Sequence, residues 1–110
     1  MKSFNFGGYK VELGQSAQEN NDLIRRSQQN DIWLHLAAFS GPHAVIHTQG
    51  KKISRAIIGQ AAQQVKDNCT QTKKLREVYV EYTEIKNVKL TGKPGLVELS
   101  KSPEKIKICY

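Results

Sequence analysis

The chain has 110 residues, of which 38% are hydrophobic and 25% charged, and a formal net charge of +7. That length fits one domain that buries about two-thirds of its unfolded surface, enough for a core without disulfide staples. No apolar run approaches the ~20 residues of a membrane helix, and the start Met1-Lys2-Ser3-Phe4-Asn5-Phe6-Gly7-Gly8 has no apolar signal core, so a cytoplasmic protein is expected.

Phe4-Asn5-Phe6 and Tyr9-Lys10-Val11-Glu12-Leu13 alternate with period two around Gly7-Gly8, which predicts a β-hairpin over 3–13 with a two-residue glycine turn. Gly14 ends it. Ser16 followed by Glu19 is a capping-box pattern, and Asn20 or Asn21 would equally cap a helix starting one turn later. That helix should run to about Gln28, anchored by Leu23 and Ile24, with Asn30 breaking it. Ile32-Trp33-Leu34-His35-Leu36 is apolar on both faces and reads as a central strand. Phe39-Ser40-Gly41-Pro42 turns the chain into a second strand, His43–His47, antiparallel to the first.

After the loop Gln49–Lys52, Ser54 can cap a helix. Ile57, Ile58, Ala61, Ala62, Val65 and Cys69 recur at spacings of three and four, so the helix extends to about Cys69 and buries that thiol. Glu77–Tyr82 alternates as a strand. Val88–Leu90, Leu96–Leu99 and Ile106–Ile108 are short β segments, with a turn at Lys93-Pro94-Gly95. The second cysteine, Cys109, falls in the last strand, and two distant cysteines give no disulfide framework. The expected fold class is α+β: a mixed, mostly antiparallel sheet with two helices packed on it. It forms one domain over 1–110, with the hairpin at 3–13, a core at 14–100 and a C-terminal strand at 104–110.

The charge is unevenly placed. Residues 51–76 carry seven basic side chains (Lys51, Lys52, Arg55, Lys66, Lys73, Lys74, Arg76) against one acid, Asp67, while residues 1–50 carry four of each sign. A focused positive field points to a polyanion; the alternative is a solvated helix face kept basic for solubility. An anionic membrane surface is disfavoured, because no segment pairs basic with bulky aromatic residues along an amphipathic helix. Lys51, Lys52 and Arg55 lead into a helix N-terminus, where free backbone N–H groups and cations together suit a phosphate. Lys73, Lys74 and Arg76 follow that helix, and Lys86, Lys89 and Lys93 line a later loop. Trp33, Phe39, Tyr79 and Tyr82 offer rings on which bases could stack, although Trp33 in a doubly apolar strand reads better as core.

Catalytic and metal readings are weak. His43 and His47, four apart on a strand, would lie roughly 13 Å from each other and could not share an ion. His35 can meet His43 across neighbouring strands, but no third ligand is evident. Ser40, His35 or His43, and Asp31 form a nucleophile set by composition only, without an elbow or oxyanion loop. Gly92-Lys93-Pro94-Gly95 has neither phosphate-loop spacing. No catalytic residue, metal, cofactor or small-molecule substrate is expected.

The block Asn30-Asp31-Ile32-Trp33-Leu34-His35 followed by Ser40-Gly41-Pro42-His43-Ala44-Val45-Ile46 resembles the NFACT-R domain of the NFACT family, which pairs an Asp-x-Trp-x-His strand with a Gly-x-His turn. Gly14 with Asn21-Asp22-Leu23, Val80-Glu81-Tyr82-Thr83, Asn87-Val88-Lys89 and Lys93-Pro94-Gly95-Leu96-Val97 agree in order, so the likeness spans about residues 9–99. The resemblance implies a non-catalytic RNA-binding module. Its partners would be tRNA or rRNA, with the large ribosomal subunit, in ribosome-associated quality control. Long members add an N-terminal domain and a long coiled coil, and smaller ones continue into a basic coiled coil. The 110 residues are therefore expected to be either a truncated piece or a minimal stand-alone version.

Lys51, Lys52, Arg55, Lys73, Lys74 and Arg76 are the expected phosphate contacts, with Lys89 and Lys93 secondary. Asp31, Trp33, His35, Ser40, Gly41 and His43 are expected to be scaffold, with Asp31 and the histidines as each other's nearest partners. A protein-interaction adaptor and a DNA-binding module are the rival readings.

Overall fold

Gly7 and Gly8 take φ values of 60° and 86°, the left-handed pair that a primed two-residue turn demands. They join β1 (Lys2–Phe6) to β2 (Tyr9–Leu13), with Phe6 opposite Tyr9. In the computed structural model, which describes residues 1–109, this hairpin is one edge of a six-stranded sheet. The other strands are β3 (Ile32–Leu36), β4 (Ala44–Ile46), β5 (Glu77–Glu84) and β8 (Glu104–Cys109). Their order is β1-β2-β4-β3-β5-β8, so the two-faced apolar strand β3 is indeed internal. Every pairing among the described strands is antiparallel. A separate hairpin, β6 (Val88–Leu90) with β7 (Val97–Leu99), completes the set.

The two helices lie on opposite faces. Helix α2 (Arg55–Asp67) packs Ile58, Ala61, Ala62 and Val65 against Val11, Leu34, Leu36, Ile46 and Val80. Helix α1 (Ala17–Arg26) lays Leu23 and Ile24 on Trp33 and Val45, and Ile85 and Val88 close that second core. Alternation along β3 thus sends Leu34 to one helix and Trp33 to the other. The core under α2 is the larger of the two, and the internal strands serve both.

The caps define the helix boundaries. Ser16 Oγ accepts the Glu19 N–H at 3.1 Å, and the Glu19 carboxylate reaches back to the Gln15 N–H at 2.9 Å. Asn20 and Asn21 are buried and serve elsewhere: Asn20 Oδ1 accepts the His43 N–H, and Asn21 Oδ1 accepts the Gly95 N–H. Helix α1 stops at Arg26 rather than Gln28, because Ser27 folds back onto the Leu23 carbonyl at 2.6 Å. Helix α2 stops at Asp67: the Asn68 side chain takes the Gln64 carbonyl at 2.8 Å, and buried Cys69 sits just past the helix. His43 and His47 flank β4 instead of belonging to it. The expected last strand reaches Tyr110, which lies outside the described residues.

Gly14 is where β2 hands over to α1, and a Cβ there would collide with Asn20 Oδ1 and crowd the Asn20 backbone. Gly14→Ala should therefore cost about 1–3 kcal/mol, whereas Gly92→Ala, with open space around it, should stay within about 0.5 kcal/mol of the parent. Urea denaturation of both variants checks the contrast; equal midpoints would contradict the packing described.

Candidate nucleic-acid interface

At the end of the sheet where α2 begins, one buried carboxylate organises the backbone. Asp31, 1% exposed, accepts the Thr48 N–H on Oδ1 at 3.0 Å. Its Oδ2 takes the Gln28 N–H at 2.9 Å and faces His47 Nδ1 at 3.1 Å. Thr48 Oγ1 in turn donates to the Asn30 carbonyl. The loop after β4 is thereby pinned to the entry of β3. Gln49 and Gly50, at φ 56° and 75°, then swing the chain outward into Lys51 and Lys52.

Ser54 caps α2 by accepting the Ile57 N–H, and the first turn of α2 carries no acidic residue. The positive end of its dipole is left uncompensated by the helix itself. Lys51, Lys52 and Arg55, all exposed, line a cleft of about 720 Å³ beside that end. Arg55 reaches the buried Tyr82 hydroxyl at 3.5 Å, a long contact that steers the guanidinium toward the cleft. Lys101, from the loop before β8, lines the same cleft, as do Glu84 and Glu104. The sequence reading missed Lys101: it lies 46 residues beyond Arg55 and outside the basic quarter, so no local pattern signals it.

The other predicted cations do not join this cleft. Lys73, Lys74 and Arg76 are exposed beyond the far end of α2, ~20 Å along a 13-residue helix. Lys89 lies on the β6–β7 hairpin, in register with Glu98, and Lys93 is in its loop. Lys66, counted within the basic stretch, is 1% exposed and donates to the Lys73 carbonyl at 3.2 Å. Of the four candidate stacking rings, Trp33 and Tyr82 are buried and Phe39 packs on the core, while Tyr79 is 50% exposed.

A second cleft, of about 730 Å³, opens at the opposite end of β3. His35, Ser40, Gly41 and His43 line it, facing Asn68 and Gln71 beyond α2 and Pro94 in the hairpin loop. The buried Trp33 Nε1–H donates to His43 Nδ1 at 3.1 Å. His35 stacks on Trp33 with centroids 5.7 Å apart, and meets His43 edge-on at 4.7 Å. Burial, reinforced by the neighbouring His35, pushes the His43 pKa down to about 3, and burial lowers that of His35.

Asp31 does not partner either of these rings. It sits at the other end of β3, ~13 Å of strand away from His35, and bonds His47 instead. The strand that brings Trp33 and the histidines together is the one that carries Asp31 away, so the Ser, His and Asp set is not assembled. Among the described residues no three His, Cys, Asp or Glu side chains converge to hold a metal. No helix of the described residues is long and apolar enough to cross a membrane.

The sequence profile of the NFACT protein RNA binding domain matches residues 3–100. The chain belongs to this family. Curated relatives of the NFACT-R domain described here include coiled-coil domain-containing protein 25 from Mus musculus, 34% identical over 94 residues. That match covers 82% of this chain and 45% of the relative. The Danio rerio protein of the same name is 29% identical over 88 residues, with 76% and 42% covered. The domain thus spans less than half the length of these relatives. The solved structure of the C-terminal part of the fibronectin/fibrinogen-binding protein from Streptococcus suis superposes with a TM-score of 0.86 at 21% identity. It covers 97% of this chain and 43% of that one, a likeness of fold.

One ion-pair network braces the NFACT-R domain beside the Asp31 clamp. Both Arg26 Nη atoms donate to the Glu12 carboxylate, at 2.8 and 2.9 Å, and His47 Nε2 lies 2.7 Å from it. The Arg26 guanidinium, partly opposed by desolvation and helped by His47, holds the Glu12 pKa down to about 2 from 4.5. A folded pKa below the unfolded one means that this stabilisation is complete above pH 4.5 and is lost as the pH falls toward 2. The loss should be on the order of 2–3 kcal/mol. Urea midpoints from pH 6 to 2 should show this acid sensitivity in the parent and a flatter profile in Glu12→Gln.

Proposed function

We propose that this domain is a non-catalytic, cytoplasmic module that binds structured RNA, tRNA or rRNA, in ribosome-associated quality control, with the large ribosomal subunit as its setting. The observation that carries the reading is the convergence of Lys51, Lys52, Arg55 and Lys101 on one cleft at an uncompensated helix N-terminus. Backbone N–H groups and mobile cations there meet a phosphate from several sides. Membership of the RNA-binding family supports RNA as the polyanion. Lys73, Lys74, Arg76, Lys89 and Lys93 are further phosphate contacts away from this cleft. Glu84 and Glu104 bound the cleft and restrict the path of an anionic backbone through it. No cofactor or small substrate enters this scheme. An adaptor would be expected to present a contiguous apolar face, and the exposed large apolar residues Met1, Leu75, Tyr79 and Leu96 come from separate segments.

Fluorescence anisotropy with tRNA across a salt series tests this. With about five of these cations engaged at once, the log–log slope is near −4. The triple change Lys51→Glu, Lys52→Glu, Arg55→Glu should reduce the magnitude of the slope by about 2–3 and the affinity at least tenfold; a flat slope in the parent would sink the model. Duplex DNA should compete less well than tRNA, because no helix is set out to read a groove.

A further inference from the structure

The cleft at the far end of β3 has a different chemistry from the basic one. No Asp, Glu, Lys or Arg lines it. Two of its walls are imidazoles with hydrogen-bonding capacity to spare. His43 is 2% exposed and accepts from Trp33 at Nδ1, so its neutral ring must carry the remaining proton on Nε2. That Nε2 has no hydrogen-bond partner among the described residues, yet no sealed side-chain polar atom there lacks one. Nε2–H is therefore open to the cleft that His43 lines. With its pKa pushed down to about 3, the ring keeps this single-donor form at neutral pH.

His35 supplies the second element. Its ring makes no hydrogen bond to the described residues and is only half-buried. It lies nearly parallel to Trp33, at 18°, on the side toward the cleft. Trp33 and His35 thus form an aromatic stack whose outer ring, His35, lines the cleft. Beside it stand the Ser40 hydroxyl and the Gln71 amide, groups that both donate and accept, while the Asn68 amide in the same wall is held by Gln64 and Lys2.

A phosphate would find no cation in this lining, and an aliphatic ligand would leave the donors unpaired. A flat heteroaromatic with donors and acceptors on its rim satisfies both the stack and the edge groups. Exposed Lys73 and Lys74 follow the Asn68–Gln71 wall in sequence, and exposed Lys93 precedes Pro94.

We propose that the cleft lined by His35, Ser40 and His43 takes one unpaired nucleobase of a bound RNA, stacked on His35 and hydrogen-bonded at its edge by His43 Nε2–H. The proposal rests on the RNA-binding reading and assigns it a second, base-specific contact point.

Imidazole 15N–1H NMR of the whole domain tests it, with each of the four ribonucleoside 5′-monophosphates and with inorganic phosphate as probes. The free protein should show His43 as the neutral Nε2–H tautomer. At least one nucleotide should shift the His35 and His43 rings saturably, and inorganic phosphate should not. His35→Ala, which removes a half-exposed ring without a hydrogen bond, should weaken that nucleotide about tenfold and leave the salt slope for tRNA unchanged. Ser40→Ala offers a second variant at an exposed position. If no nucleotide moves the two rings, or phosphate moves them equally, the base site is overturned, while salt-dependent tRNA binding would still stand. If the parent does not bind tRNA at all, the RNA reading falls whatever the nucleotides do.

Discussion

A carboxylate buried to 1% exposure must have its lone pairs filled, and Asp31 meets that demand with groups from two separate loops. Its partners are the Gln28 N–H before β3 and the Thr48 N–H and His47 after β4. Hydrogen bonds to a charged group are worth about 1.5–3 kcal/mol each, so Asp31 fastens the two loops more firmly than neutral turns would. The consequence reaches outward in two directions. Through His47 it couples to Glu12 and Arg26, which fixes the end of α1 against β2. Through Thr48 it sets the start of the segment that delivers Lys51, Lys52 and Arg55. The basic cleft thus owes its shape to an acid that never touches it.

Beyond that anchor, the molecule sorts its chemistry by the two ends of β3. One end gathers cations around the start of α2. The other gathers uncharged donors and aromatic edges around Trp33. The separation follows from elementary geometry: five residues of strand span ~16 Å and thirteen of helix ~20 Å, and each carries its termini to opposite rims. Positive charge near a helix N-terminus is unfavourable for the free protein. Its presence there fits a site whose counter-charge arrives with a ligand.

Much of the fold can be read from local pattern. The glycine pair, the Ser16 and Ser54 caps, the stripe from Ile57 to Val65 and the two-faced β3 each carry a short-range physical signal, and each element forms where that signal lies. What pattern does not carry is the choice of face: nothing in Leu23 or Ile58 says that the two helices take opposite sides of one sheet. The site divides similarly. The cations beside the capped helix are visible as a run, and Trp33 is recognisable as core. The split of the basic set into two groups depends on the length of α2. The recruitment of Lys101 depends on the return of the chain along β8. Asp31 paired with His47 rather than His43 because a strand runs between the two candidates and only its near end is reachable.

Helix α2 is also a ruler. Its two ends hold the cationic cleft and the neutral one at a fixed distance on one rigid body. For a ligand long enough to touch both, the second contact is intramolecular, governed by an effective concentration rather than by the bulk one. Two individually weak contacts then multiply, but only for a ligand whose features are spaced to match. Discrimination among RNAs can therefore reside in a length, the distance between a phosphate cluster and a bulged or looped base, and not in any sequence of letters.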